Sequence, residues 1–518
     1  MILDFEKDSL PEASPFVIIG GGAVGLVLAI SLARKGKQVV VLETGGRAFD
    51  PAMQDLNKPV IEGRRHLGIT EGRARLLGGT TTLWGGQLVA FDAIDMEPRP
   101  WLGLDAWPIQ LSDLHAFYSE VAKLLGLDST NADDQEVWRE LDLSPPELNN
   151  NFSVILTRWL REPNLARYFQ KELVESPNIH VALHAHCVSF DFDEDNRISA
   201  ATVVSPSNRS TKITANKFII ANGTIEASRL MLATARTGAP WSHNAWLGKG
   251  FQDHLDIRAA RIEILDEKKF HNSFENIVKR GFKYQPKIIS SSSFQRNNLT
   301  TNLAASIVAD SAVGEHIAKL KVAIRSIIRG AKPESISDIF KSISGTARVW
   351  LPLILRYLRD NRIMQVADRG LFLMLHCEQI PLENSSIRLS ADEHDAYGMP
   401  LVTLDWQVSG QELRTMRLFT EELGAALEQG GLARLEIDPR LSNEEESFLE
   451  GCRDTNHHCG GLRMSKTVAD GVTDVNLKVH NCDNLYIAGA ATFPSSSFAN
   501  PTFTAMALAV RLAEHLAE

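Results

Sequence analysis

Short, continuous apolar runs, each leading into a turn and then a helical pattern, recur at both ends of this chain. Residues 16–19 form one such run, followed by a glycine-rich turn and a helical stretch that ends near Gly36. A second run, 39–42, closes on Glu43. Near the middle, 217–220 leads through a turn holding Gly223 into the helical stretch "TIEASRLMLATA", and 485–488 ends at Gly489 before a serine-rich loop. Asn500-Pro501-Thr502 then opens a last helix, in which Met506, Leu508 and Val510 read as core; Asn and Thr suit helix starts and Pro a first turn. Runs apolar on both faces and alternating with helices predict an open α/β sheet. Residues 180–205 alternate instead, around a turn at "DEDN", and predict antiparallel strands.

From about 260 to 450 the pattern changes to polar stretches, strand alternation and a helical insert, which predicts a second domain. The expected division is a discontinuous nucleotide domain of 1–110, 180–260 and 450–518, and a substrate domain of 111–179 and 261–449. In the insert at 316–362, Ile317, Leu320, Ile324 and Ile328 recur at helical spacing while Lys321, Arg325 and Arg329 form a stripe four residues apart. The stripe fits a membrane-surface or partner-docking face, and equally a solvated basic side of helices that cover the second domain.

With 518 residues the chain exceeds one ordinary core, in line with two domains. A net charge of −10 argues against nucleic acid as a partner. The five cysteines have no metal-ligand spacing and read as free thiols. The acidic first fifteen residues lack the apolar run of a signal peptide, and no stretch is apolar enough to span a bilayer, so a cytoplasmic address is expected.

Gly20-x-Gly22-x-x-Gly25, set between a strand and a helix and followed by a strand ending in Glu43, is the first motif with a mechanism. Gly20 and Gly22 let the backbone approach a pyrophosphate, Gly25 lets helix and strand pack closely, and Glu43 can bond a ribose. The motif fits NAD and FAD alike. Downstream, "RARLLGGTTTLWGG" suits close approach to a flat ligand, and "DTNHHCGGLRMS" sets His457 and His458 beside a glycine pair. A histidine in such a turn can be a general base, a metal ligand or a buried ring.

These motifs, together with "LGKGFQDHL" and "SSSFANPTFTAMALA", resemble the glucose–methanol–choline family of FAD-dependent oxidoreductases over nearly the whole chain. The form of "GGTTTLW" is most similar to the branch holding pyranose oxidases and bacterial glycoside dehydrogenases. The resemblance implies a Rossmann-like FAD domain and an α+β substrate domain built on an antiparallel sheet. It makes His457 the catalytic base, Asn500 the second polar residue, and gives His458 no catalytic counterpart. It sets Gly79, Thr80, Thr81, Leu83 and Trp84 along the isoalloxazine, Val188 at the adenine, and Gly223, Gly489, Ala490 and Thr502 elsewhere on the cofactor. Leu83 stands where several relatives carry a flavin-linked histidine, so non-covalent FAD is expected; no metal is. Asp253 and His254 are expected to be structural, and Glu378 and Gln379 to face the substrate. The implied reaction turns a sugar or glycoside CH–OH into a ketone, with oxygen, a quinone or a carrier protein as final acceptor. A non-sugar alcohol, and a lyase that keeps FAD without redox chemistry, are the alternatives.

Overall fold

The computed structural model describes residues 1–127, 133–312 and 353–518. Residues 316–352, most of the basic insert 316–362, therefore lie outside the described residues. Its last turn is helical over 353–360, where Arg356 pairs with Glu275 at 2.8 Å and with Asp360 at 3.0 Å.

One sheet of eight strands gathers both ends of the chain. Ala13–Ile19 pairs in parallel with Val39–Leu42 on one side and Ser210–Ile220 on the other. Beyond them lie Ile179–Leu183 with Ile2–Asp4, and Leu485–Ile487 docks in parallel on Ser210–Ile220. The central strands are buried on both faces, by the helices Ala23–Arg34 and Pro501–Ala517 on one side and by apolar residues of 187–203 and 227–231 on the other, which is why their sequences read as unbroken apolar runs. His186–Phe192, Ile198–Val204 and the start of Ser210–Ile220 continue as an antiparallel meander.

A second sheet of nine strands is antiparallel throughout, and its centre runs in the order Phe282–Ser290, Leu303–Asp310, Gly370–Cys377, Leu255–Ile264. Gly370–Cys377 alternates strictly between buried and half-buried positions. Leu373 and Leu375 join Ile257, Leu303 and Ala305 in packing on Met416, Phe419 and Leu423 of the helix Gly410–Gln429, leaving the opposite face free to be polar. Two expected boundaries shift. Leu255–Ile264 belongs whole to this sheet, on both sides of the division expected at 260. His115–Leu124, expected with the substrate domain, joins the nucleotide side because Leu114, Tyr118 and Val121 pack on the C-terminal helix, with Tyr118 Oη 2.7 Å from Thr504 Oγ1.

The turn between Ile19 and Ala23 shows why its glycines are needed. Gly20 has φ +112°, and a Cβ there would lie 2.6 Å from the Ala221 carbonyl oxygen. A Cβ on Gly25 would lie 2.0 Å from the Gly20 carbonyl oxygen. Gly25→Ala is therefore expected to cost about 1–3 kcal/mol through overpacking, read as a lowered Tm, whereas Gly22→Ala, with nothing within 4 Å of its Cβ position, should leave the apoprotein's Tm nearly unchanged.

Candidate active site and cofactor cleft

Three helices begin at one cleft, and none has a side-chain cap. Ala23–Arg34 starts after Gly22, Thr224–Ala235 after Gly223, and Pro501–Ala517 after Asn500; no N-cap side chain bonds any of their first amides. Their free N–H groups and positive dipole ends suit a ligand carrying negative charge. The cleft spans about 1290 Å³ of space, open solvent at its mouth included. Among its lining residues, buried polar atoms of Asn57 (Nδ2), His186 (Nε2), Asn222 (Oδ1) and His458 (Nε2) have no hydrogen-bond partner among the described residues. Orphaned donors and acceptors of this kind are rare in a native fold. Together with the uncapped helices they fit a long, polar, phosphate-bearing cofactor.

Most of the expected cofactor residues meet here. Gly20, Gly22, Glu43, Gly79, Thr80, Thr81, Trp84, Gly223, Gly489, Ala490 and Thr502 all line the cleft. Glu43 accepts from Gly21 N and Gly45 N, both at 2.9 Å, and burial pushes its carboxyl pKa up despite those bonds. Gly25 lies beneath the cleft as a packing glycine, and Val188 follows Cys187, which lines it. Leu83, expected beside them, instead projects to the surface and is 54% exposed. Patterning missed a charged wall: Glu226 pairs with Arg73 at 2.6 Å, Arg75 at 2.7 Å and Arg229 at 3.5 Å. Burial alone would raise the Glu226 pKa, but the three guanidiniums hold it well below the usual range. Arg73, Arg75 and Glu226 all stood inside quoted motifs, yet nothing in a linear sequence says that they meet.

The histidine turn is fixed by one carboxylate. Asp253 Oδ1 accepts from His254 N at 2.7 Å, His457 N at 2.9 Å, Thr455 Oγ1 at 3.0 Å and Thr455 N at 3.3 Å, while Oδ2 receives His66 Nε2 at 3.1 Å. Burial works against its charge, but the His66 bond and the nearby histidines keep Asp253 ionised, its pKa well below the ordinary carboxylate value. Asp454 adds bonds to Leu67 N and Gly68 N, each 2.8 Å. His457 touches Thr455 Oγ1 at 2.8 Å and His254 Nδ1 at 3.0 Å, both through Nδ1; Nε2 has no partner among the described residues. Burial lowers its pKa to about 4, so the ring is neutral at physiological pH. His458 packs on the same carboxylate, with Nε2 3.7 Å from Asp253 Oδ2 and its ring 5.1 Å from that of His66, while its carbonyl accepts from Thr224 Oγ1 at 2.6 Å beside the cleft.

His66, Asp253 and His458 bring ligand-type atoms within 4.8 Å of one another, a grouping that sequence spacing does not reveal. His66 Nδ1 accepts from Ile69 N at 3.1 Å, so its Nε2 carries the hydrogen and donates to Asp253. In this state His66 is a donor rather than a metal ligand.

His254, two residues before Asp256, carries the histidine turn onto the polar face of the second sheet. Asp256 stands opposite His376, and His376 opposite Ala304. Ser306 and Lys287 follow on the same face, next to the Ile288–Ala305 pair. His376 bonds Asp256 Oδ1 at 2.6 Å and Ser306 Oγ at 2.9 Å. Lys287 is 3% exposed and has no hydrogen bond or ion pair among the described residues; burial lowers its pKa to about 8, with Asp256 opposing. Asp256, Lys287 and His376 all act electrostatically on His457. Glu378 and Gln379, expected to face substrate, do not. Glu378 is buried in a bidentate pair with Arg99 at 2.5 and 2.6 Å. Gln379 Oε1 accepts from Asp253 N at 2.9 Å and Trp406 Nε1 at 2.8 Å, and its Nε2 donates to the Gln407 carbonyl at 2.7 Å. An internal charge and an internal amide need such partners, and here both find them within the protein. Asn500 is half-buried, and its side chain neither caps its helix nor bonds another residue among those described.

Comparison with known proteins agrees with this geometry. Residues 381–509 match the GMC oxidoreductase family model and 18–68 an NAD(P)-binding Rossmann-like domain. The chain is 21% identical to the fructose dehydrogenase large subunit of Gluconobacter japonicus, over 96% of each chain. It is 23% identical to the paromamine 6'-oxidase of Streptomyces fradiae, over 97% of this chain and 91% of that one. Pyridoxine 4-oxidase from Mesorbium loti has the same fold, with a TM-score of 0.58 at 14% identity over 97% of this chain and 99% of that one. With the glycine turn, the three converging helices and the histidine turn in one place, the chain is similar over nearly its whole length to glucose–methanol–choline oxidoreductases, FAD-dependent enzymes that act on CH–OH groups.

Proposed function

We propose that the protein oxidises a secondary hydroxyl of a sugar or glycoside to a ketone, with His457 as general base. The observation that carries this reading is the unpartnered Nε2 of a neutral His457, next to a sheet face bearing Asp256, Lys287, Ser306 and His376. Several donors and acceptors on one face suit a ligand with several hydroxyls. The names of two relatives that span nearly the whole chain, fructose dehydrogenase and paromamine 6'-oxidase, support a sugar-type substrate.

The glycine turn and the three helix N-termini would hold FAD, which when bound would supply the acceptor for the hydride that leaves the carbon. The protein's own part is proton handling and orientation. His457 Nε2 takes the hydroxyl proton, so positive charge does not build up on the carbon. The free amide of Asn500 donates to the same oxygen and fixes its lone pairs. Position 83 holds leucine where several relatives carry a flavin-linked histidine, which supports a non-covalent cofactor. Oxygen, a quinone or a carrier protein each suffice to return the enzyme to its starting state.

An anaerobic titration tests the reading. Sugars or glycosides are expected to bleach the yellow band where simple alcohols do not; bleaching by simple alcohols alone would move the substrate outside the sugar class. His457→Ala should keep FAD and the fold yet slow bleaching by roughly 10²–10⁴; reduction at the parent rate would remove His457 as the base.

The buried rings also set a pH dependence. The base works only when neutral, so flavin reduction should stay level down to about pH 4, the pKa of His457, rather than decline near 6.5. Stability behaves differently. The unfolded chain protonates histidine near 6.5, while His457 and His458 stay neutral in the fold down to about 4 and about 3. Between those values the unfolded state binds more protons, so stability is complete above about pH 6.5 and drops as the pH falls. The slope is on the order of 1.4 kcal/mol per pH unit for each ring, measurable as denaturation midpoints from pH 7 to 4.5.

A further inference from the structure

We propose that Thr455 is a positioning residue for the base: its hydroxyl, anchored on Asp253, accepts Nδ1–H of His457 and so keeps Nε2 bare toward the substrate. This rests on the reading of His457 as the base, and it follows from counting hydrogens. Thr455 Oγ1 lies 3.0 Å from Asp253 Oδ1 and 2.8 Å from His457 Nδ1. Each contact needs one hydrogen, and the hydroxyl has one to give. Asp253 is ionised and can only accept, as its two bonds from Thr455 N and His457 N and its bond from His66 show. Were the hydroxyl to donate to His457 instead, its oxygen would face a carboxylate oxygen at 3.0 Å with no hydrogen between them. The charge-assisted bond to the carboxylate is also the stronger of the two. The proton on Thr455 therefore goes to Asp253, and the proton between Thr455 and His457 belongs to Nδ1.

The neighbouring ring agrees. His254 Nδ1 lies 3.0 Å from His457 Nδ1, and two N–H groups cannot point at each other. The one hydrogen on His457 Nδ1 is then shared, mainly with Thr455 Oγ1 at 2.8 Å and secondarily with His254 Nδ1 at 3.0 Å, and the hydrogen of His254 sits on Nε2, a buried atom without a hydrogen-bond partner among the described residues. The opposite arrangement would place a hydrogen on His457 Nε2 and leave no base. When His457 takes the substrate proton, the substrate O–H bond breaks, Nε2–H forms, and the new positive charge is one hydroxyl away from the Asp253 anion. A histidine oriented by a third group through Nδ1 is a general way to ready Nε2 for proton transfer.

The test reads the tautomer directly. Protein labelled with ¹⁵N-histidine is examined by long-range ¹H–¹⁵N correlation at neutral pH, with His457 assigned as the ring missing from His457→Gln. The parent should show Nδ1 protonated and Nε2 bare; a proton on Nε2 in the parent overturns the proposal without any further variant. Thr455→Val, checked for unchanged circular dichroism and FAD content, should move hydrogen onto Nε2 and slow anaerobic flavin bleaching by on the order of 10²-fold, with the substrate concentration for half-maximal rate little changed. Thr455→Ser should restore both the tautomer and the rate. A Thr455→Val protein with a bare Nε2 and the parent rate overturns the proposal while leaving the base reading intact. His457→Gln bleaching at the parent rate would instead overturn the base reading, and the tautomer measurement would stand apart from it.

Discussion

The carboxylate of Asp253 is the interaction around which the functional half of the molecule is arranged. It is fully buried, and an isolated ion in such a place would be far too costly to keep. The protein offsets that cost with a shell of donors taken from three separated segments: His66, the backbone of His254, and the turn 455–457. Because each donor must point at the same two oxygens, their segments are locked in mutual position. The start of Leu255–Ile264, the histidine turn and the loop before helix Gly68–Glu71 thus become one rigid corner where the two sheets meet. A residue expected to be structural is the one that holds the histidine turn in place.

The cofactor side follows a complementary rule. There the fold leaves groups unsatisfied rather than satisfying them. Three helix starts lack caps, and four polar side chains are orphaned. The strands that deliver these helices come from the first twenty residues, the middle and the last forty, so the cleft exists only when both ends of the chain pair on Ser210–Ile220. Corner and cleft meet at the turn 456–458, where Asn456 and His458 line the cleft and both histidines act on Asp253.

Much of this was legible from the residues. The Gly20/Gly22/Gly25 turn, Glu43, and the strand-to-helix crossings at Gly223 and Asn500 can be read because each is a local pattern with a local physical cause: strand, tight turn, helix. What could not be read is whatever depends on register between distant strands. Glu378 and Gln379 looked accessible as polar residues after an alternating strand, but Arg99 and Trp406, far away in sequence, claim them. Leu83 followed its neighbours in the motif but sits on the outer side of the short helix Gly79–Thr82. The row formed by Asp256, His376 and Ser306 comes from three strands whose alignment is fixed only by the ladder. The helix His115–Leu124 was assigned to the wrong unit because an amphipathic stripe states that it packs, not on what.

The uncapped helix starts have a bearing on the protein's life before catalysis. A chain that folds with three positive helix ends and several buried polar atoms unanswered is incomplete as a folded object, and the ligand that answers them is part of its tertiary structure. Binding to the folded form alone adds its free energy to stability by mass action. Cofactor supply therefore sets how many chains survive synthesis as well as how many can turn over. In a cell short of flavin, scarcity would show first as loss of the polypeptide to proteolysis, and only second as inactive enzyme.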